Sequence, residues 1–202
     1  MLTIALPKGR IADETLDRFE KAFGEKFVFE DRKLILEKSG FKFLNVRNQD
    51  VPTYVMHGAA DLGVVGLDVL EEKEYDLIKL LDLKLGRCKV AFGLRAGEKL
   101  NFDKSKITIA TKHEKIAKKY FEQKAMAVEI IKLYGSIELA PLVGLCDCIV
   151  DIVETGETMK QNGLEIGPTI MESSAHLIEN KNSFYAKKDL ILDLKERIEA
   201  HI

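Results

Sequence analysis

Tryptophan is missing from this chain, and its 202 residues include only three cysteines and four prolines. So few cysteines, and an odd number, rule out a disulfide framework, so the fold must rest on an apolar core. Cys88, Cys146 and Cys148 show no Cys-x-x-Cys spacing. Cys146 and Cys148 would share one face of an expected strand with no histidine pair nearby, and they read as buried structural thiols. His57, His113, His176 and His201 are scattered, without the His-Glu-x-x-His pattern of a zinc site, and read as solvated or capping residues. Positive charge is not in excess either. The formal net charge is −2, which removes the electrostatic case for a nucleic-acid partner. An anionic ligand must therefore be met by local groups. No run approaches the roughly 20 apolar residues of a membrane span, and Leu2–Leu6 meets Pro7-Lys8-Gly9-Arg10 before a signal-peptide core could form. A cytoplasmic protein is expected.

What the chain does have is 46% hydrophobic and 32% charged residues, enough for one large domain or two small lobes with cores of their own. Leu2–Leu6 reads as a strand ending in the basic glycine loop Pro7-Lys8-Gly9-Arg10. Ile11, Leu16, Phe19 and Phe23 then recur at helical spacing. Strand, loop and helix in this order set Lys8 and Arg10 beside a helix N-terminus, which suits an anion and suits equally a plain connection with two solvated bases. Residues 27–29 and 41–46 alternate as short β-runs with Arg32 between them, and Arg47 to Pro52 leads into a helix over 52–59. Residues 61–66 read as a buried strand and Leu67 starts the next helix. Asp68 is thereby placed at the carboxyl edge of a sheet, where ligands bind and where aspartate also serves as an ordinary cap. Strands over 77–83 and 89–94 flank a turn at Gly86-Arg87-Cys88. A βα series then follows: strand 106–110, helix 113–122, strand 126–131, helix 137–143, strand 148–153 and helix 157–162, which implies a parallel sheet with right-handed crossovers. Leu190, Leu194 and Ile198 mark a closing amphipathic helix.

The richest segment is Asp147-Cys-Ile-Val-Asp-Ile-Val-Glu-Thr-Gly-Glu-Thr158. A buried strand has little use for Asp151 unless its carboxylate points at something polar. In the loop Thr155-Gly156-Glu157-Thr158, Gly156 allows a tight turn, successive N–H groups can form an anion nest, and two hydroxyls add donors before a helix. Asp151 and Glu154 could accept hydrogen bonds from vicinal hydroxyls beside a phosphate, so together they describe a cradle for ribose 5-phosphate. An acid-tipped strand followed by an ordinary helix cap satisfies the same local spacing. The segment resembles the phosphoribosyl-pyrophosphate (PRPP) loop of phosphoribosyltransferases. In the large type I class a second acid precedes the one at 151, and here Val150 holds that place.

Further blocks extend the resemblance: Leu6-Pro-Lys-Gly-Arg10, Arg47-x-x-Asp50-Val-Pro52, Gly58-Ala-Ala-Asp-Leu-Gly63, Val65-Gly-Leu-Asp-Val-Leu70, Gly86-Arg-Cys88 and Lys132-Leu-Tyr-Gly-Ser-Ile-Glu-Leu-Ala-Pro141. In this order, and together with Asp151 to Thr158, they resemble the ATP phosphoribosyltransferase family over nearly the whole chain. That resemblance implies a type IV phosphoribosyltransferase, an α/β protein with a two-lobed, periplasmic-binding-protein-like fold and an active-site cleft between the lobes, and it accounts for Val150. The lobes are expected at 1–94 plus 181–202 and at 95–180, with the loops 7–10, 66–68, 134–138 and 154–158 gathered at the cleft. The implied reaction joins ATP and PRPP into N1-(5-phosphoribosyl)-ATP and pyrophosphate, the first step of histidine biosynthesis. By the resemblance, Glu154, Thr155, Gly156, Glu157 and Thr158 hold the 5-phosphate, and Asp151 and Glu138 bind the ribose hydroxyls. Arg32 and Arg47 are the catalytic candidates, because a guanidinium fork matches phosphate oxygens and stays charged. Lys8 and Arg10 support the same polyanionic region, and Asp68 lines the nucleotide pocket. No all-protein metal cage is evident, so Mg²⁺ is expected to bridge substrate phosphates. Since the chain stops at Ile202, the resemblance is to the short form, whose catalytic homodimers join a histidyl-tRNA synthetase-like regulatory subunit in a hetero-octamer. No membrane partner is expected. The competing reading is a bilobal module that closes on a small anion without chemistry. A type I base-salvage enzyme is disfavoured by Val150 and the amino-terminal blocks.

Overall fold

A computed structural model describes all 202 residues. In chain order the elements are β1 (Leu2–Pro7), α1 (Arg10–Phe23), β2 (Ile35–Lys38), β3 (Phe41–Val46), α2 (Val51–Met56), β4 (Leu62–Gly66), α3 (Leu67–Lys73) and β5 (Ile78–Arg95). They continue as β6 (Ile107–Thr111), α4 (Glu114–Glu122), β7 (Val128–Lys132), α5 (Leu139–Leu142), β8 (Cys148–Val153), α6 (Glu157–Gln161), β9 (Leu164–Glu179) and α7 (Lys181–Glu199). Two compact units result, Met1–Gly86 with Ser174–Ile202, and Arg87–Ser173. Composition suggests a division at 94–95 and 180–181, whereas the units divide inside β5 and β9, because each strand runs on through both units and no loop marks the boundary.

In the first unit the strands lie in the order β2-β3-β1-β4-β9. β1 runs parallel to β3, with Leu2 opposite Phe41 and Pro7 opposite Val46, and parallel to β4, with Ile4 opposite Leu62. The two outer strands are antiparallel to their neighbours. Side chains alternate across the sheet. Leu2, Ile4, Leu6, Phe41 and Phe43 pack against Leu16 and Phe19 of α1 and Ile191, Leu194 and Ile198 of α7. Ala5, Val65 and Ile178 face the other way, toward Val51 and Val55 of α2 and Val69 of α3. α1 forms because Ala12, Thr15, Leu16 and Phe19 bury one stripe, and it stops where Gly24 turns left-handed (φ 71°) and donates its N–H to Glu20.

Phe19 is the hub of this core, meeting Phe43 edge-on at 5.0 Å and Phe27 at 6.1 Å. The alternation at 27–29 is therefore not a strand. Phe27 is a plug, 3% exposed, set from an irregular segment into the aromatic cluster. Three other expectations are corrected. The runs 77–83 and 89–94 are one strand, β5, bent at the positive-φ residues Lys84 and Gly86 in the manner of a bulge and not broken by a turn. The helix expected over 137–143 contracts to Leu139–Leu142. α7 starts at Lys181, well before its apolar stripe, because the Asn180 side chain caps the N–H groups of Asn182 and Ser183, and it kinks at Lys187.

The second unit orders its strands β5-β8-β6-β7. β6 is parallel to β7 and β8, as the βα series predicts, while β8 is antiparallel to β5. Val90, Phe92, Ile107, Ile109, Cys148 and Val150 pack under α4 through Ile116, Ala117 and Phe121. Ala91, Ala110, Cys146, Ile149 and Val153 pack with Ile137, Ala140 and Met159 on the opposite face. Cys146 and Cys148 thus belong to opposite cores, because Cys146 precedes the strand and does not share its alternation. Burial pushes both thiols up, Cys148 to about 12, so neither is a thiolate nucleophile. No helix is long and apolar enough to cross a membrane.

Candidate active site

The parallel strands β6, β7 and β8 all end at one edge of the second unit, and the connections that leave them carry its polar side chains. On β8, Ile149, Asp151 and Val153 alternate toward the face that holds α5 and α6. Asp151 therefore stands between two buried apolar residues of that row, and its side chain is only 14% exposed. The chain then enters Glu154-Thr155-Gly156. Gly156, at φ 81° and ψ 3°, is the cap residue of α6, and a Cβ there would collide with the side chain of Ile166. The left-handed φ favours glycine, and the collision adds to this only as far as the part-exposed end of Ile166 cannot move aside. The Thr155 hydroxyl accepts the N–H of Glu157 at 3.3 Å, which fixes the first turn of α6.

Glu138, at the cap position of α5, comes to the same place from the connection after β7. Glu138, Asp151, Glu154, Thr155, Gly156 and Thr158 line one pocket of about 320 Å³ together with Ile152, Val153 and Met159. Of the second-unit residues expected to bind substrate, only Glu157 stands outside the lining, and Gln161 donates to its carboxylate along α6 at 3.3 Å. Carboxylates suited to a diol and hydroxyls at a helix start suited to a phosphate are thus gathered in one cavity.

Two residues at this edge were not anticipated as site residues. Lys112 Nζ lies 3.0 Å from Asp151 Oδ1, and His113 Nε2 lies 3.9 Å from the same oxygen. The solvated or capping role expected of His113 does not hold. His113 is 1% exposed, and although it occupies the cap position of α4 its side chain makes no capping bond. The expected strand 106–110 and helix from 113 put Lys112 at a strand end, but nothing in the sequence paired that strand with the strand that carries Asp151.

In the first unit the expected residues again follow strand ends. The Lys8 N–H donates to Val46 O at 2.8 Å, which sets the loop after β1 beside Arg47 after β3. Lys8, Arg10 and Arg47 are exposed, and Arg10 approaches Glu14 at 3.7 Å. Asp68 follows β4, the other parallel neighbour of β1. It is not the cap, which is Gly66; it lies in the first turn of α3 and is 3% exposed. Arg32 is exposed in the turn before the edge strand β2, whose approach is tied to β3 by Asn45 N–H donating to Leu34 O at 2.8 Å. No group of three His, Cys, Asp or Glu side chains gathers to hold a metal ion.

A Thr-Gly-Glu-Thr turn and three acids at the carboxyl edge of an α/β sheet are the groups a sugar-phosphate-binding enzyme would need. The family model for ATP phosphoribosyltransferase matches residues 47–200. A relative named ATP phosphoribosyltransferase from Wolinella succinogenes is 69% identical, over 98% of this chain and 96% of its own length. Among solved structures, the ATP phosphoribosyl transferase (HisG:HisZ) complex from Thermotoga maritima contains a chain 36% identical, with a TM-score of 0.85 and coverage of 99% of this chain and 98% of that one. The periplasmic aliphatic sulphonate binding protein of Escherichia coli shares the fold, with a TM-score of 0.63 at 12% identity over 98% of this chain and 67% of that one. The chain belongs to the ATP phosphoribosyltransferase family, whose reaction opens histidine biosynthesis. The fold of small-molecule binding proteins is present, but the family is that of the transferase and not of a binder without chemistry.

Proposed function

We propose that PRPP binds in the second-unit pocket and that adenine N1 of ATP attacks C1 of its ribose as pyrophosphate departs, through an oxocarbenium-like transition state with inversion. The observation that carries this reading is the pocket itself, in which Glu138, Asp151 and Glu154 meet the Thr155–Thr158 turn. The N–H groups at the start of α6 and the hydroxyls of Thr155 and Thr158 take the 5-phosphate, with Glu154, Gly156 and Glu157 shaping the turn. Asp151 and Glu138 accept hydrogen bonds from the ribose hydroxyls and hold C1 in line for attack. Arg32 and Arg47 steady the departing pyrophosphate and the ATP phosphates, Lys8 and Arg10 add positive charge, and Asp68 lines the nucleotide side, so that charge developing on the leaving group meets fixed cations. The attacking nitrogen carries its lone pair at neutral pH and needs no general base.

The pocket carboxylates are hard oxygen donors of the kind Mg²⁺ accepts, so Glu138, Asp151 and Glu154 would help to hold the ion beside the substrate's phosphate oxygens. Bound there, Mg²⁺ supplies neutralisation of the pyrophosphate charge. The chain is a cytoplasmic catalytic subunit of the short form. It pairs as a homodimer and assembles with a histidyl-tRNA synthetase-like regulatory subunit into a hetero-octamer, a reading supported by its coverage of the chain in the HisG:HisZ complex.

The test is to mix the purified chain with Mg²⁺, ATP, PRPP and inorganic pyrophosphatase and follow N1-phosphoribosyl-ATP by ultraviolet absorbance and mass. Product from the chain alone leaves the partner a regulatory role, and product only after the partner is added makes it an obligatory activator. No product in either mixture defeats the reading. Within it, Asp151→Asn should keep the fold and weaken PRPP binding by about 1.5–3 kcal/mol, the worth of a hydrogen bond to a charged group. Calorimetric titration with PRPP checks this, and unaltered affinity removes Asp151 from the ribose site.

A further inference from the structure

The pocket assigned to a polyanionic sugar phosphate is lined by three carboxylates and by no lysine or arginine. Such a lining repels its ligand unless a cation stands just behind it. Lys112 is that cation. It leaves β6 at the residue after Thr111, whose fully buried hydroxyl donates to Val150 O at 2.6 Å and accepts the His113 N–H at 2.8 Å. These two hydrogen bonds of the Thr111 hydroxyl tie the β6 turn to the β8 residue immediately before Asp151. The other lysine at this edge, Lys132 at the end of β7, is taken by Glu114 at 3.3 Å, and His113 Nε2 stands farther from Asp151 Oδ1, at 3.9 Å. Lys112 Nζ instead reaches Asp151 Oδ1 at 3.0 Å, and Oδ1 also accepts the Ile152 N–H at 2.7 Å. The contacts of Asp151 converge on one oxygen, which leaves Oδ2 for a ligand.

We infer that Lys112 is a positioning residue for the phosphoribosyl donor: it holds the Asp151 carboxylate by Oδ1 so that Oδ2 meets the ribose hydroxyls, and it offsets the negative lining as PRPP enters. The inference rests on the assignment of Asp151 to the ribose. Half-exposed ion pairs are weak as stability elements, so Lys112 should be visible in PRPP binding and not in folding.

The experiment compares Lys112→Met, Lys112→Arg, Asp151→Asn and the Lys112→Met/Asp151→Asn double variant, with circular dichroism melting as the fold check. Lys112→Met should raise the KM for PRPP about tenfold, with kcat and the KM for ATP changed much less. Lys112→Arg, which keeps the charge, should restore most of the loss, and Lys112→Met should add little on top of Asp151→Asn. An unchanged KM for PRPP in Lys112→Met, where Asp151→Asn does raise it, overturns the role of Lys112 alone. Equal damage to ATP and PRPP kinetics, or no rescue by arginine, overturns it as well. If Asp151→Asn itself leaves PRPP binding untouched, the ribose assignment falls and the inference falls with it.

Discussion

Replacing Gly156 with alanine should lower PRPP affinity by about tenfold to a hundredfold while the chain still folds. The residue sits at φ 81°, where a side chain costs ~1–2 kcal/mol, and its Cβ would press on Ile166. Either the strain is borne or the loop shifts and α6 turns its first N–H groups away from the phosphate. Strain that the free protein relieves by shifting the loop must be repaid on binding, and about 1.4 kcal/mol of it is a tenfold loss of affinity; strain that is borne lowers the melting temperature instead. Ile166→Ala combined with Gly156→Ala should recover only the steric share. Calorimetric titration and thermal melting of the two variants and the parent separate the causes: wild-type affinity with a lowered melting temperature means that the strain is borne in place, and wild-type affinity with unchanged melting would mean that Gly156 is not needed to shape the phosphate loop.

The second large effect concerns stability. Glu179 is fully buried at the end of β9 and neither carboxylate oxygen has a hydrogen-bond partner. Burial first, and then the charge of Asp61, push its carboxyl up from 4.5 to about 7. Asp61 itself stays ionised, because the bonds from Lys187, Thr3 N–H and Ser183 outweigh the burial that would raise it. Between these two values the folded chain keeps a proton on Glu179 that the unfolded chain has released. The folded state therefore binds more protons there, and stability falls as pH rises through the window, by up to ~3 kcal/mol. Glu179→Gln removes the ionisation. The variant should be more stable than the parent at pH 8 by most of that amount, and the gap should close below pH 5. Urea midpoints at a series of pH values measure it, and a gap that does not change with pH would show that Glu179 is not held protonated.

The loop at 154–158 was legible because its chemistry is local: glycine and hydroxyls act on their own backbone and need only neighbours in sequence. The same holds for the second unit's βα series, where periodicity and length agree. Lys112 was not legible, since its partner Asp151 lies on a different strand and only the pairing of β6 with β8 brings them together. Phe27 misled for a related reason, because its alternation with Phe29 imitates a strand while its ring answers to Phe19, Phe41 and Phe43. β9, a strand of 16 residues absent from the expectation, has a partly exposed first half interrupted by Gly167 and Pro168, and becomes a strand through its neighbours β4 and β5 and not through its own pattern.

The two passages of chain between units also set an order of assembly. Arg87–Ser173 is one uninterrupted stretch and can complete its sheet as soon as it leaves the ribosome. The first unit cannot, although its synthesis starts earlier: Val64 and Val65 of β4 must wait for Leu177 and His176, and the face under Phe19 stays open until Ile191, Leu194 and Ile198 arrive. The part made first finishes last, and an apolar sheet edge and a phenylalanine cluster stand uncovered for most of translation. A nascent chain halted before residue 174 would carry a finished 154–158 loop and an unfinished first-unit core, which makes the carboxyl-terminal 29 residues, Ser174–Ile202, the segment that ends its exposure to aggregation and proteolysis.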